Sequence, residues 1–177
     1  RDLVGDLLEG ERLAAGASAL APETVDLRRL AAEAAAEARA TPQVDASIGP
    51  VRADPARLRL LLRNLSANAR RHAADAPQPP VLFLRRAGGE LELGLRDFGP
   101  GVPQEALARL AEPFYRPDGA RTRASGGVGL GLHLCQQMAT AVLGGTLRLL
   151  DTDTGHGAHF CLTLPVVAPD RLQPAAG

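Results

Sequence analysis

The stretch from Val81 to Arg96 most constrains what this chain can fold into. Its two halves, Val81–Arg86 and Glu90–Arg96, carry alternating patterns on either side of Gly88-Gly89. A two-residue period interrupted by paired glycines predicts an antiparallel hairpin with one buried face. A second hairpin is predicted from Thr146–Asp151 and Ala158–Leu164 across a turn at Asp153–Gly157. Around these hairpins the pattern switches to helical spacing. Leu27–Arg39 predicts a helix with Asp26 as its N-cap. Asp54-Pro55 reads as the N-cap and first position of another helix, reaching about Ala73, with Leu58, Leu61, Leu62, Leu65 and Ala69 on one face. Gln43–Val51 predicts a strand and Pro103–Leu110 a short helix. Leu130–Leu143 predicts a helix stopped by Gly144-Gly145. Helices and hairpins mixed without regular βαβ alternation predict an α+β fold. The expected form is a two-layer α/β sandwich, its mixed, mostly antiparallel sheet covered by helices on one face.

Composition narrows the function. Apolar residues make up 45% of the 177 positions, enough for a core, while aromatics are only 3%, so that core must be mostly Leu, Val and Ala. Twenty basic residues, all Arg, balance twenty acidic ones. A neutral chain gives no reason to expect a nucleic-acid partner. Cys135 and Cys161 lack metal or redox spacing and predict two small core residues in a reducing compartment. No apolar run approaches the roughly 20 residues of a membrane span, so the chain reads as a soluble piece. Residues 1–16 place Leu3, Leu7, Leu8 and Leu13 at helical spacing, as in the last turns of a longer helix. Residues 17–25 read as a linker, 26–165 as the main domain, and 166–177 as a disordered tail.

Three segments carry candidate chemistry. On the helix after Asp54, Asn64, Asn68 and Arg71 follow i, i+4, i+7 spacing and share a polar face. An amide oxygen there suits a hard cation such as Mg²⁺, and an arginine suits phosphate oxygens. The same residues equally describe a solvated helix face. Asp97 ends a predicted strand and opens the turn Asp97-Phe98-Gly99-Pro100-Gly101. A carboxylate there can accept a hydrogen bond from the exocyclic amine of adenine, with Gly99 and Gly101 admitting a base close to the backbone. It is also an ordinary tight turn. Third, Gly126-Gly127-Val128-Gly129-Leu130-Gly131-Leu132 opens a helix, where backbone N–H groups and glycines make an anion site. It is neither a P-loop nor a dinucleotide fingerprint. The preceding Glu112–Gly127 reads as a mobile loop whose Arg116, Arg121 and Arg123 could close over phosphates or simply be solvated.

Taken in order, these segments resemble the ATP-binding catalytic domain of bacterial two-component sensor histidine kinases, of the Bergerat-fold GHKL superfamily. Asn64–His72 is similar to that family's N box, Asp97–Pro103 to its G1 box, Glu112–Arg116 to its F box and Gly126–Leu132 to its G2 box. The closing run Gly144–Pro165 is similar to the family's last hairpin, and residues 1–16 resemble the end of the second helix of a dimerisation and phosphotransfer domain. The resemblance implies ATP and Mg²⁺ as ligands. Asn68 would bind the metal, with Asn64 beside it and Arg71 on phosphate, these three forming the catalytic set. His72 would lie against the nucleotide and Asp97 would take the adenine amine. Gly99, Gly101 and Val102 would shape the base pocket. Gly127, Val128, Gly129, Leu130, Gly131 and Leu132 would form the lid hinge and phosphate site, with Arg116 in the lid and Phe114 anchoring one end.

The branch is also implied. Hydrolytic members of the superfamily carry a glutamate one helical turn before the metal-binding asparagine. Here that position is Asn64, which cannot act as a base, and this favours phosphoryl transfer to a protein histidine. The expected activity is therefore ATP:protein-histidine phosphotransferase. None of His72, His133, His156 and His159 sits in the context of a phosphoacceptor. The acceptor is expected on the dimerisation and phosphotransfer domain of a longer, homodimeric parent, with a response regulator downstream. The piece itself is expected to be a monomeric cytoplasmic domain of a protein anchored in the bacterial inner membrane. A nucleotide-sensing module without transfer activity and an anti-sigma-type serine kinase are the alternatives.

Overall fold

The computed structural model describes residues 22–107, 109–110, 112–115, 130–142, 144–150 and 157–165. The expected helical end at 1–16 and the tail at 166–177 lie outside the described residues. In chain order the elements are β1 (Glu23–Val25), α1 (Leu27–Ala38), β2 (Thr41–Val44), β3 (Val51–Ala53), α2 (Pro55–His72), β4 (Val81–Ala87), β5 (Glu90–Arg96), α3 (Gln104–Leu107), α4 (Gly131–Gln137), β6 (Thr146–Leu150) and β7 (His159–Pro165).

Five strands form the main sheet in the order β2-β4-β5-β7-β6. β2 runs parallel to β4, and the other pairs are antiparallel. Register explains which face is buried. Leu82 pairs with Leu95 and Leu84 with Leu93 across β4 and β5. Leu91, Leu93 and Leu95 then meet Leu164, Leu162 and Phe160 of β7, which in turn meets Leu147 and Leu149 of β6. Because side chains alternate along a strand, this ladder occupies a single face. Against it lie Leu30, Ala31, Ala34 and Ala35 of α1, Leu58, Leu61, Leu62 and Leu65 of α2, and Leu134, Cys135 and Met138 near α4. The result is the expected two-layer α+β sandwich with one helical face. Both cysteines are free and buried.

Both long helices start as the sequence predicts. Asp26 accepts hydrogen bonds from the N–H groups of Arg28 (3.0 Å) and Arg29 (3.2 Å). Asp54 accepts from Ala56 and Arg57, both at 3.1 Å, with Pro55 in the first turn. These bonds satisfy N–H groups that no preceding turn can reach. Asp54 is also buried and ion-paired to the buried Arg57, a contact that N-cap logic alone does not reveal.

Several expectations need correction. Gln43–Val51 is not one strand. β2 ends at Val44, and Asp45 turns the chain by accepting from the Ser47 N–H (2.8 Å), so β3 starts only at Val51. The stretch 17–25 is not all linker, because Glu23–Val25 pairs antiparallel with β3. Such short strands owe their existence to a partner distant in sequence. α3 is shorter than Pro103–Leu110 and gives way to a turn in which the Arg109 N–H donates to the Ala106 carbonyl (3.0 Å). The helix over Leu130–Leu143 is α-helical only to Gln137. Met138–Val142 widens to a π turn, closed by the Gly145 N–H on the Ala139 carbonyl (2.9 Å).

Candidate functional site

α2 presents two faces. Its leucines are buried in the core, while Asn64 and Asn68 are half-buried and Arg71 and His72 exposed. The Asn64 amide is oriented by its own helix: Nδ2 donates to the Leu60 carbonyl at 3.0 Å. Its Oδ1 therefore points the other way, towards α4. A Cβ added to Gly131 would lie 3.0 Å from that oxygen, so the first residue of α4 sits directly against the N-box asparagine. The two segments, 67 positions apart in sequence, are brought together by α2 packing on α4.

Asp97 follows β5 and is 3% exposed. Its Oδ1 accepts from the Gly99 N–H (3.1 Å) and the Ala158 N–H (3.0 Å), while its own N–H donates to the Ala158 carbonyl (2.8 Å). One carboxylate oxygen is thus committed, and no hydrogen bond to the other is found among the described residues. Burial pushes the carboxyl above its ordinary range; the bonds from Gly99 and Ala158 and the charge of His72 oppose this. Gly99 makes the junction with the end of α2 tight, since a Cβ there would collide with the His72 carbonyl. Gly101 has φ +81°, a conformation that favours glycine.

The remaining predicted residues divide. Val102 and Leu132 are partly buried against the core, and Leu130 is buried. Their side chains contribute to packing against the core. Phe114 is 67% exposed at φ +64° rather than packed. Arg116, Gly127, Val128 and Gly129 lie outside the described residues.

Sequence reasoning missed Gly157 and Ala158. Gly157 has φ +85°, and a Cβ there would collide with the Asp97 carbonyl. The glycine lets the final strand approach closely enough for Ala158 to hold Asp97 on both sides. The signal was available as a glycine immediately before the last strand, where it read as turn chemistry.

Residues 53–168 match the family described as histidine kinase-, DNA gyrase B- and HSP90-like ATPase. The chain belongs to this ATPase family. It is 35% identical over 168 residues to the signal transduction histidine-protein kinase AfsQ2 of Streptomyces coelicolor, covering 93% of this chain and 30% of that protein. To the sensor histidine kinase MtrB of Mycobacterium leprae it is 36% identical over 183 residues, covering 96% and 31%. Among solved structures, full-length ShkA in complex with AMPPNP is similar with a TM-score of 0.75 at 28% identity, covering 94% of this chain and 36% of that one. The chain thus spans about a third of these relatives. Within this fold, Asn64 of α2 lies against the start of α4, and the end of α2 lies against the turn after Asp97.

Proposed function

We propose that this domain binds Mg-ATP between α2, the turn after β5 and the start of α4, and passes the γ-phosphoryl group to a histidine on a dimerisation and phosphotransfer domain of a longer protein. The observation that carries this reading is the commitment of Asp97: one oxygen is held by two backbone N–H groups and the other is left for a base. That oxygen accepts from the adenine amine, while Gly99, Gly101 and Val102 line the base pocket and His72 lies against the nucleotide. Backbone N–H groups over Gly127–Leu132 meet the phosphates. Arg71 and Arg116 add cationic contacts, and Phe114 stands exposed at the start of the intervening segment.

The donor set fits magnesium. Asn68 offers a hard amide oxygen on the same helical face as Asn64, and Mg²⁺ takes the rest of its shell from water and phosphates. Bound there, the ion supplies charge neutralisation on the phosphates. Asn64 itself cannot take a proton from water, since a neutral amide is no base and its N–H is already given to Leu60. Phosphoryl transfer to an imidazole needs no such base, because a neutral imidazole nitrogen is already nucleophilic. The chain's own part is positioning and charge stabilisation.

On this reading residues 1–16 end the second helix of the phosphotransfer domain, 26–165 are the catalytic domain and 166–177 a tail. The parent is a homodimer at the bacterial inner membrane with this domain on its cytoplasmic side, signalling to a response regulator. The test is a transfer assay. The chain is mixed with the separately expressed phosphotransfer domain, Mg²⁺ and γ-labelled ATP. Acid-labile, base-stable label on that domain is expected. Confirmed nucleotide binding with no label would reduce the domain to a nucleotide sensor.

A further inference from the structure

The face of the main sheet turned away from the helices is built differently from the nucleotide side. Register places Phe83, Gly94, Cys161 and Arg148 in one row across β4, β5, β7 and β6. Arg96 and His159 are opposed in the next row, and Arg85, Glu92 and Thr163 on the other side. Gly94 leaves a slot into which Phe83 folds, so that a Cβ on Gly94 would lie 2.6 Å from the tip of its ring. Phe83 meets His159 edge-on (centroids 5.0 Å, 89°) and lies beneath the Arg85 guanidinium (5.2 Å). Arg96 stacks on Phe98 at 5.1 Å, which holds the guanidinium without using its N–H groups.

Charge on this face is uneven. Arg85 is paired with Glu92 at 2.6 Å, but no ion pair to Arg96 or Arg148 is found among the described residues. Arg96 Nε and His159 Nε2 are both shielded from water and without a hydrogen-bond partner. Unmade hydrogen bonds in dry surroundings are costly, and no such bond ties either side chain in place. Both residues are nonetheless part-exposed on this face. Burial and the neighbouring Arg96 and Arg85 push the His159 imidazole below its ordinary range, with Glu92 opposing. Arg96 and Arg148 stand on strands separated by β7, about 10 Å apart laterally. That is wider than one small anion spans.

We propose that this face is a docking site for an extended acidic segment of a partner protein, with one carboxylate received between Arg96 and His159 and a second, four residues along, by Arg148. Register also offsets the two arginines by two residues along the strands, so their backbones stand about 12 Å apart, close to the roughly 13 Å between side chains four residues apart in an extended peptide. The uncommitted arginines supply charge complementarity, and Phe83 supplies an apolar floor. This surface lies across the sheet from the nucleotide site and does not depend on the phosphotransfer reading.

The experiment is fluorescence anisotropy of the full chain with a labelled ten-residue peptide alternating Glu and Ser. A peptide alternating Gln and Ser, and vesicles rich in phosphatidylserine, serve as comparisons. Salt-sensitive binding of the Glu peptide is expected, falling at least about tenfold in Arg96→Gln/Arg148→Gln as two charge-assisted contacts are lost. Affinity for an ATP analogue should stay unchanged in that double variant, which checks folding. Equal binding of the Gln peptide would overturn the proposal. So would an equal loss in Arg28→Gln/Arg29→Gln on α1, or binding to the vesicles without binding to the Glu peptide.

Discussion

Replacing Asp97 by asparagine tests the site at its most constrained point. Oδ1 of Asp97 faces two backbone N–H groups, those of Gly99 at 3.1 Å and Ala158 at 3.0 Å. In Asp97→Asn the amide nitrogen cannot occupy that position, because it would set a donor against two donors. The side chain must keep its oxygen there and turn its NH₂ outward to where the base lies. An acceptor for the adenine amine thereby becomes a donor. A hydrogen bond to a charged group contributes about 1.5–3 kcal/mol. At about 1.4 kcal/mol per decade, ATP affinity should fall roughly 10- to 100-fold. GTP, which presents a carbonyl oxygen at the equivalent position, should lose less or gain. Calorimetric titration with non-hydrolysable ATP and GTP analogues measures both. A parallel loss for the two nucleotides, or no loss for either, would refute the argument that the free oxygen reads the base. The backbone bonds survive the substitution, so folding should too. Since burial holds the Asp97 carboxyl above its ordinary 3.8, the unfolded chain releases that proton first. As pH rises from 3.8 through the folded-state value the native domain therefore loses stability, and Asp97→Asn removes that slope.

Four further outcomes are expected. Asn68→Ala should weaken nucleotide binding about tenfold or more in Mg²⁺ but little in EDTA, as for loss of a ligand to the ion; equal effects in both media would remove Asn68 as the metal residue. Gly157→Ala forces a side chain into φ +85° and against the Asp97 carbonyl. It should cost at least about 1–2 kcal/mol in urea unfolding and weaken ATP-analogue binding as well, and a variant as stable as wild type would contradict the close approach. Asp54→Ala removes both the N-cap of α2 and the partner of buried Arg57, so unfolding free energy should drop by about 3–5 kcal/mol, measured by denaturant titration. Finally, burial pushes the Cys135 thiol up to about 12 and the Cys161 thiol up to about 11. Neither should react with iodoacetamide at pH 8 in the folded protein, while both should when it is unfolded; fast labelling of either would show that its burial is wrong.

How much could be read in advance depended on the range of the interaction. Helix starts at Asp26 and Asp54 were legible because a cap bonds to the next two or three residues. The β4–β5 hairpin was legible because its turn and both strands are contiguous. The three candidate segments were legible as motifs, but Asn64, Asp97 and Gly131 are drawn towards one another only through α2 packing on both β5 and α4. The strand at Glu23–Val25 and the breaks in β2–β3 escaped notice because three-residue strands have no periodicity of their own and form only against a distant partner.

Residue pattern alone determined the α+β class, the leucine face of α2, the asparagines on its polar face and the aspartate after β5. These follow from local spacing and from the chemistry of side chains within one element. Tertiary structure decided which Asp97 oxygen the backbone holds, that Gly157 must lack a side chain, that Asp54 buries a salt bridge with Arg57, and that Arg96 faces His159 on the far side of the sheet. Three of these depend on the approach of segments 60 to 63 positions apart, set by strand register and close packing; Asp54 and Arg57 are only three apart, but the core that buries their pair is assembled from distant elements.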